Sequence, residues 1–251
     1  MTRSPSDRPA RTRRRWVRLA VVAVVLLVAG GLTLDDLARS SADPFSSLLA
    51  GVTTREATPG TALAAVADLE VKGRAPKTGY DRDEFGPAWA DVDRNGCDTR
   101  NDILARDLVA VTYEAGTHEC IVLTGELADP YTGGSIDFRR GRTTSTAVQI
   151  DHVVALSDAW QKGAQTLDAE IRRELANDPL NLLAVDGPTN GAKGDGDTAT
   201  WLPPDSSYRC EYVARQVAVK ARYELWVTAA EQEAMQRVLA SCPDEPLPAA
   251  G

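Results

Sequence analysis

Thr146-Ala147-Val148-Gln149-Ile150-Asp151-His152 alternates apolar and polar residues and ends on an acid beside an imidazole. Further on comes Asn177-Asp178-Pro179-Leu180-Asn181-Leu182-Leu183-Ala184-Val185-Asp186-Gly187-Pro188-Thr189-Asn190-Gly191-Ala192-Lys193. The period of two in the first segment reads as a half-buried strand. In the second, Asn181–Val185 is an apolar run between Asp-Pro and Asp-Gly turn signals, which predicts another short strand. Pro188 suits the first turn of a helix, which would carry Asn190 and Lys193. The order is therefore strand, strand, helix, with His152 at the end of the first strand. Only two histidines occur, His118 and His152. His118 lies in the polar turn Ala115–Cys120 and reads as an exposed loop residue, so imidazole chemistry falls to His152. A carboxylate beside an imidazole at a strand end can hold a divalent cation next to a general base, which suits hydrolysis of a phosphodiester.

Working outward, short strands are expected near Leu108–Tyr113 and Cys120–Leu123. Helices are expected at Thr61–Leu69, Asp102–Leu108, Ser157–Lys162, Thr166–Ala176 and Ser207–Val227. Asn101 or Asp102 would cap the second of these. Thr228-Ala229-Ala230-Glu231 has the form of a capping box opening a last helix that runs to Ser241. No internal repeat is visible. The fold class expected is α+β: a small catalytic strand–strand–helix unit, about 146–204, within a mainly helical, disulfide-bonded domain spanning 61–251. The tryptophans Trp89, Trp160, Trp201 and Trp226 read as packing residues.

The N-terminus points to export. Seven arginines and one aspartate give the first 18 residues a charge of +6, and an apolar run from Leu19 to Leu34 follows. Residues 1–34 therefore read as a signal peptide or an N-terminal membrane anchor, with the domain secreted or held outside the cell. Residues 35–60, rich in Ser, Thr, Ala and Pro, read as a flexible linker. The whole chain carries −8, which leaves −14 on the part beyond residue 18. Such a body repels a polyanion, so a nucleic-acid substrate would need local cations. Arg139, Arg140 and Arg142, just ahead of the catalytic strand, and Lys193 are the expected groove residues. The four cysteines, Cys97, Cys120, Cys210 and Cys242, show no C-x-x-C spacing and fit disulfides in an oxidising compartment. Three pairings can be drawn; Cys97–Cys120 with Cys210–Cys242 closes the two moderate loops.

The motifs YDRDEFGPAW, DVDRNGCDTRNDILARDL, DPYTG, QIDHVVALSDAWQKGA, ANDPLNLLAVDGPTNGAKGD and TWLPP together make residues 80–205 resemble the secreted bacterial HNH endonucleases (ββα-metal, or His-Me finger). Their catalytic module also occurs in some modification-dependent restriction enzymes. The resemblance implies a ββα-metal hairpin and helix, with Asp151 as a metal ligand and His152 as the general base. It implies that Asn181 braces the loop that aims the histidine, and that Asn190 is a second ligand where many relatives place a histidine. An all-oxygen ligand set suits Mg²⁺, or Mn²⁺, and disfavours Zn²⁺. Lys193 would assist at the phosphate, and Arg100 could also reach it. The implied reaction leaves a 5′-phosphate and a 3′-hydroxyl on a nucleic acid, DNA ahead of RNA, and the protein is expected to be a monomer. The membrane would enter only through the N-terminal segment.

A second constellation is Asp91-Val92-Asp93-Arg94-Asn95-Gly96, followed by Asp102 at the twelfth position. It has the layout of a calcium loop, with Asp91, Asp93, Asn95 and Asp102 as ligands. Asp98 at the eighth position, where an apolar residue is expected, and Asp in place of Glu at the twelfth depart from that pattern. The competing reading is an Asx-rich turn ahead of a helix. Besides a nuclease, two functions fit the sequence: a non-catalytic cell-surface or wall-associated module that keeps the fold, and a hydrolase of other esters.

Overall fold

The computed structural model describes residues 57–249. The expected export segment 1–34 and most of the linker lie outside the described residues. Among those described, no helix is long and apolar enough to cross a membrane. The chain is mixed α and β with two small antiparallel sheets. In order, it forms α1 (Ala62–Asp68), α2 (Thr99–Asp107), β1 (Leu108–Tyr113), β2 (Val122–Ala128), β3 (Ser135–Arg139) and β4 (Val148–His152). Then follow α3 (Leu156–Gln161), α4 (Ala169–Asn177), β5 (Leu182–Asp186), α5 (Gly187–Lys193), α6 (Arg209–Arg222) and α7 (Ala229–Leu239).

Strands β1, β2 and β3 form one sheet in that order. Strands β4 and β5 form the other, with Asp151 opposite Leu183 and His152 opposite Leu182. This pair is buried on both faces, which explains why Leu182–Val185 reads as an unbroken apolar run rather than an alternating one. Val148, Ile150, Leu182 and Ala184 pack with Ile103, Leu104, Val122 and Phe138, against α2 and the three-stranded sheet. Val153, Leu183 and Val185 pack with Tyr131 and the apolar stripe of α6, namely Tyr212, Val213 and Val217. Because side chains alternate along a strand, Asp151 and His152 leave β4 on opposite faces.

Two sequence expectations are corrected here. Strand β3 was not foreseen. The cap of α2 is Asp98, whose side chain accepts from the Asn101 backbone N–H, rather than Asn101 or Asp102. The calcium-loop residues do come together, but around an amide: Asn95 donates to Asp91, Asp93 and Asp102. No group of three or more His, Cys, Asp or Glu able to hold a metal occurs among the described residues. Burial and the neighbouring charges of Asp93, Asp98 and Asp91 push the Asp102 carboxyl upward.

Helix α7 opens on the complete Thr228/Glu231 capping box. Disulfides join Cys97 to Cys120 and Cys210 to Cys242. The second bridge fastens the start of α6 to the chain just after α7. Replacing Cys210 and Cys242 by alanine should cost about 3 kcal/mol through the freed loop of the unfolded chain. Urea unfolding of the variant against the parent measures this, and a loss under about 0.5 kcal/mol would show that the bridge adds little.

Candidate active site

Helix α5 begins beside the start of β4, where Val148 pairs with Asp186, and runs along the strand toward its Asp151-His152 end. Asp186 caps α5 by accepting from the Thr189 N–H at 2.7 Å, and Pro188 fills the first turn. The Gly187 N–H bonds to the Ala147 carbonyl at 2.9 Å. A Cβ at Gly187 would lie 2.0 Å from the Thr146 carbonyl oxygen, so only glycine permits this close approach. The contact sets α5 against β4. The Asn190 Nδ2 then donates to Gln149 Oε1 at 2.9 Å, and Lys193 reaches Asp151.

Asp151 is buried and satisfied. The Lys193 ammonium, itself buried, is 2.9 Å from both carboxylate oxygens and also donates to the His152 carbonyl at 2.8 Å. The Tyr131 hydroxyl donates to one of the carboxylate oxygens. Burial pushes the Asp151 carboxyl above its usual range, while Lys193 and Tyr131 pull it back. A buried carboxylate with a bonded ammonium is a neutral pair, which makes the burial tolerable.

His152 is buried on the other face of β4. Its Nε2 is 2.9 Å from the Ala176 carbonyl oxygen. A carbonyl only accepts, so Nε2 carries the proton and Nδ1 keeps its lone pair. Nδ1 has no hydrogen-bond partner among the described residues. Burial lowers the His152 pKa from 6.5 to about 3; the Ala176 bond opposes this shift, while Arg82 and Lys193 add to it. The imidazole is neutral at physiological pH, as a base must be. Trp89 stacks on it, with ring centroids 6.1 Å apart and an interplanar angle of 17°. Trp89 sits at φ 59°, in the left-handed region. For a tryptophan that conformation costs on the order of 1–3 kcal/mol, and the Thr99 N–H bond to its carbonyl helps to hold it.

Asn181 is fully buried between the end of β4 and α4. It accepts from the Val154 N–H at 2.8 Å and donates to the Val154 and Leu175 carbonyls at 3.3 and 3.2 Å. It thereby ties the residues after His152 to the turn of α4 that supplies the Ala176 carbonyl.

Asp151, His152 and Asn190 line one polar cavity of about 410 Å³, together with Lys77, Arg82 and Asp195. The donors suit a hard cation. Of roughly four acceptor positions on Asp151, Lys193, Tyr131 and the His152 backbone N–H take three. The Asn190 Oδ1 has no partner among the described residues. One carboxylate and one amide oxygen make a sparse set, of the kind Mg²⁺ completes with water and phosphate.

The expected cationic groove lies elsewhere. Arg139 and Arg142 are exposed and do not line this cavity. Arg140 is spent on the Asn101 side chain and the Val122 carbonyl. Arg100 donates to the Val148 carbonyl at 3.2 Å, at the far end of β4 from His152; burial and Arg140 lower its pKa. Lys193 is buried rather than on a surface strip. The cations at the cavity are Lys77, paired with Asp195 at 3.4 Å, and Arg82, which makes no hydrogen bond or ion pair among the described residues. The sequence pointed to no role for Arg82 or Tyr131 and to packing for Trp89, although all three lie inside the motifs YDRDEFGPAW and DPYTG.

Behind the cavity lies a buried ionic cluster. Lys162 is 2.7 Å from Asp158, 2.8 Å from Asp197 and 2.6 Å from Glu231. Lys220 is 3.0 Å from Glu231 and 3.4 Å from Asp158. Arg74 closes the set, 2.9 Å from Asp158 and 2.7 Å from Asp197. Three cations thus balance three carboxylates. Against the opposing effect of burial, Lys162 and Arg74 hold Asp197 down to about 2.

Residues 98–238 match the family model described as "GmrSD restriction endonucleases, C-terminal domain". A protein of the fungus Arthroderma benhamiae, described as an uncharacterized secreted protein, is 37% identical over 184 residues, covering 72% of this chain and 85% of the relative. No solved structure matches the chain.

Proposed function

The chain belongs to the family of the C-terminal domain of GmrSD restriction endonucleases, and from that premise we propose that it is an exported, metal-dependent endonuclease of the ββα-metal type. The observation that carries the reading is the tautomer of His152. With Nε2 committed to Ala176, Nδ1 is the unpartnered nitrogen, among the described residues, of a histidine that lines the same cavity as Asp151 and Asn190. β4, β5 and α5 serve as the catalytic hairpin and helix within a domain running from residue 61 to the C-terminus.

The chain's own groups act as follows. Nδ1 of His152 takes a proton from water as the water oxygen attacks phosphorus. The P–O3′ bond breaks, leaving a 5′-phosphate and a 3′-hydroxyl once the departing oxygen is protonated from solvent. Asn181 holds the strand end and the Ala176 carbonyl that orient the imidazole. Tyr131 and Lys193 hold the Asp151 carboxylate in place. Asp151 and the Asn190 oxygen would hold Mg²⁺ or Mn²⁺, which would supply charge neutralisation at the phosphate and the leaving oxygen. Lys193 already neutralises Asp151, so the substrate phosphate would contribute much of the attraction for such a cation. DNA is the preferred substrate. Export agrees with the arginine-rich N-terminus, the two disulfides and the description of the fungal relative as secreted.

Incubating the purified protein with plasmid DNA and with RNA, in Mg²⁺, in Mn²⁺ and in EDTA, tests this. Cleavage with either cation and none in EDTA is expected. Cleavage in EDTA would refute the metal dependence; no cleavage under any condition would favour a non-catalytic module on the same fold.

A further inference from the structure

Two recesses meet at His152. One is the polar cavity with Asp151 and Asn190. The other is a small recess of about 70 Å³ that shares His152 with it and is walled by Phe85, Trp89, Leu156 and Ala176. That is several times the roughly 10–15 Å³ one water requires. Its walls are mainly apolar and aromatic, with Arg82, Asp83, His152 and Asn177 as polar members, a mixture that houses a flat ring with polar edges. His152 and Arg82 line both recesses. Arg82 is exposed, on the 3₁₀ turn Arg82–Phe85 next to Asp83, which also lines the smaller recess, and Arg82 makes no ion pair among the described residues. In a body this acidic, a cation left unpaired beside the base is placed to receive an anion. Trp89, half-buried in its left-handed conformation, keeps part of its ring on this recess while stacking on His152.

We propose that this recess is the subsite for one nucleobase flanking the scissile phosphate, with Trp89 contacting the base and Arg82 holding the phosphate between the two recesses. The assignment rests on the nuclease reading. A strand crossing from one recess to the other passes Arg82 and His152 on the way, so the phosphate falls beside Nδ1 while the neighbouring base enters the aromatic pocket. The recess lies on one side of His152 only, so the requirement for a base is one-sided.

The test uses single-stranded oligonucleotides cut at a mapped position, carrying either the natural base or an abasic site immediately 5′ or immediately 3′ of the cut. Wild-type protein should cleave the abasic substrate about 5- to 150-fold more slowly on one side only, the range set by a base–aromatic stack of ~1–3 kcal/mol. Trp89→Ala should slow the natural substrate by a similar factor and lose most of its discrimination against the abasic one. Trp89→Phe should keep most of it. Arg82→Gln should lower kcat/KM for natural and abasic substrates alike. A purely packing role for Trp89 would slow both substrates equally in Trp89→Ala. That result, or wild-type protein indifferent to an abasic site on either side, overturns the subsite while leaving the nuclease reading intact. Wild-type protein that cleaves no polynucleotide overturns both.

Discussion

His152→Ala should lower phosphodiester cleavage by about 10²–10⁴-fold, the range a positioned general base contributes, with the fold retained. His118 cannot substitute, because it stands exposed in the turn between β1 and β2. A variant with wild-type turnover would remove His152 from the mechanism. The pH dependence carries a second signature. The folded-state pKa of about 3 lies below the ordinary 6.5, so between these values the unfolded chain binds more protons at this group. The stability contributed by neutral His152 is therefore full above about pH 6.5 and is lost as pH falls toward 3. The loss is on the order of 3 kcal/mol between pH 7 and pH 4. Asp151, pushed upward by burial, contributes in the opposite sense, so the difference between wild type and His152→Ala isolates the histidine. Urea unfolding at pH 7 and pH 4 measures it. An equal acid sensitivity in the two proteins would mean that the imidazole is not held neutral by burial.

Lys162→Met should destabilise the fold by about 3–5 kcal/mol, because it leaves three buried carboxylates facing only Lys220 and Arg74. Against a total stability of roughly 5–15 kcal/mol, that is a large fraction. The expected sign is a lower urea midpoint at an unchanged slope. Lys72→Ala is the control. Its pair with Glu70 is half exposed, 51% and 59%, so its loss should cost about 0–1 kcal/mol. If Lys162→Met cost no more than this control, one of the carboxylates must take up a proton in place of the lost cation. The cluster also fixes Asp197, two residues from the cavity-lining Asp195, so cleavage should fall as the fold loosens.

The strand–strand–helix order was legible because each element carries local signals: a period of two into Asp151-His152, Asp-Pro and Asp-Gly turns around β5, and Pro188 at the start of α5. The capping box at Thr228 and the disulfide pairing were legible for the same reason, since capping geometry and loop length are written in short spacings. Strand β3 was missed because Ser-Ile-Asp-Phe-Arg, on the edge of its sheet, buries only Phe138 fully and sits between a Gly-Gly turn and a run of arginines. The partners of the candidate site were missed for a different reason. Tyr131 meets Asp151 across 20 residues, Lys162 meets Glu231 across 69, and Trp89 meets His152 across the whole α2–β3 segment. No periodicity encodes such meetings. The arginines before β4 looked like a groove from their number alone, yet the fold spends Arg140 on Asn101 and leaves Arg82 beside the base.

The opposite facing of two consecutive residues on β4 bears on how this family can change in length. One residue inserted within Val148–His152 would exchange the acid's surroundings for the base's, carrying Asp151 toward Trp89 and His152 toward Tyr131. The exposed start of α4, at Asp168–Glu170, lies on the same chain segment between β4 and β5, but its backbone reaches neither group. Insertions and deletions among natural homologues should therefore collect just ahead of α4 and be absent from β4.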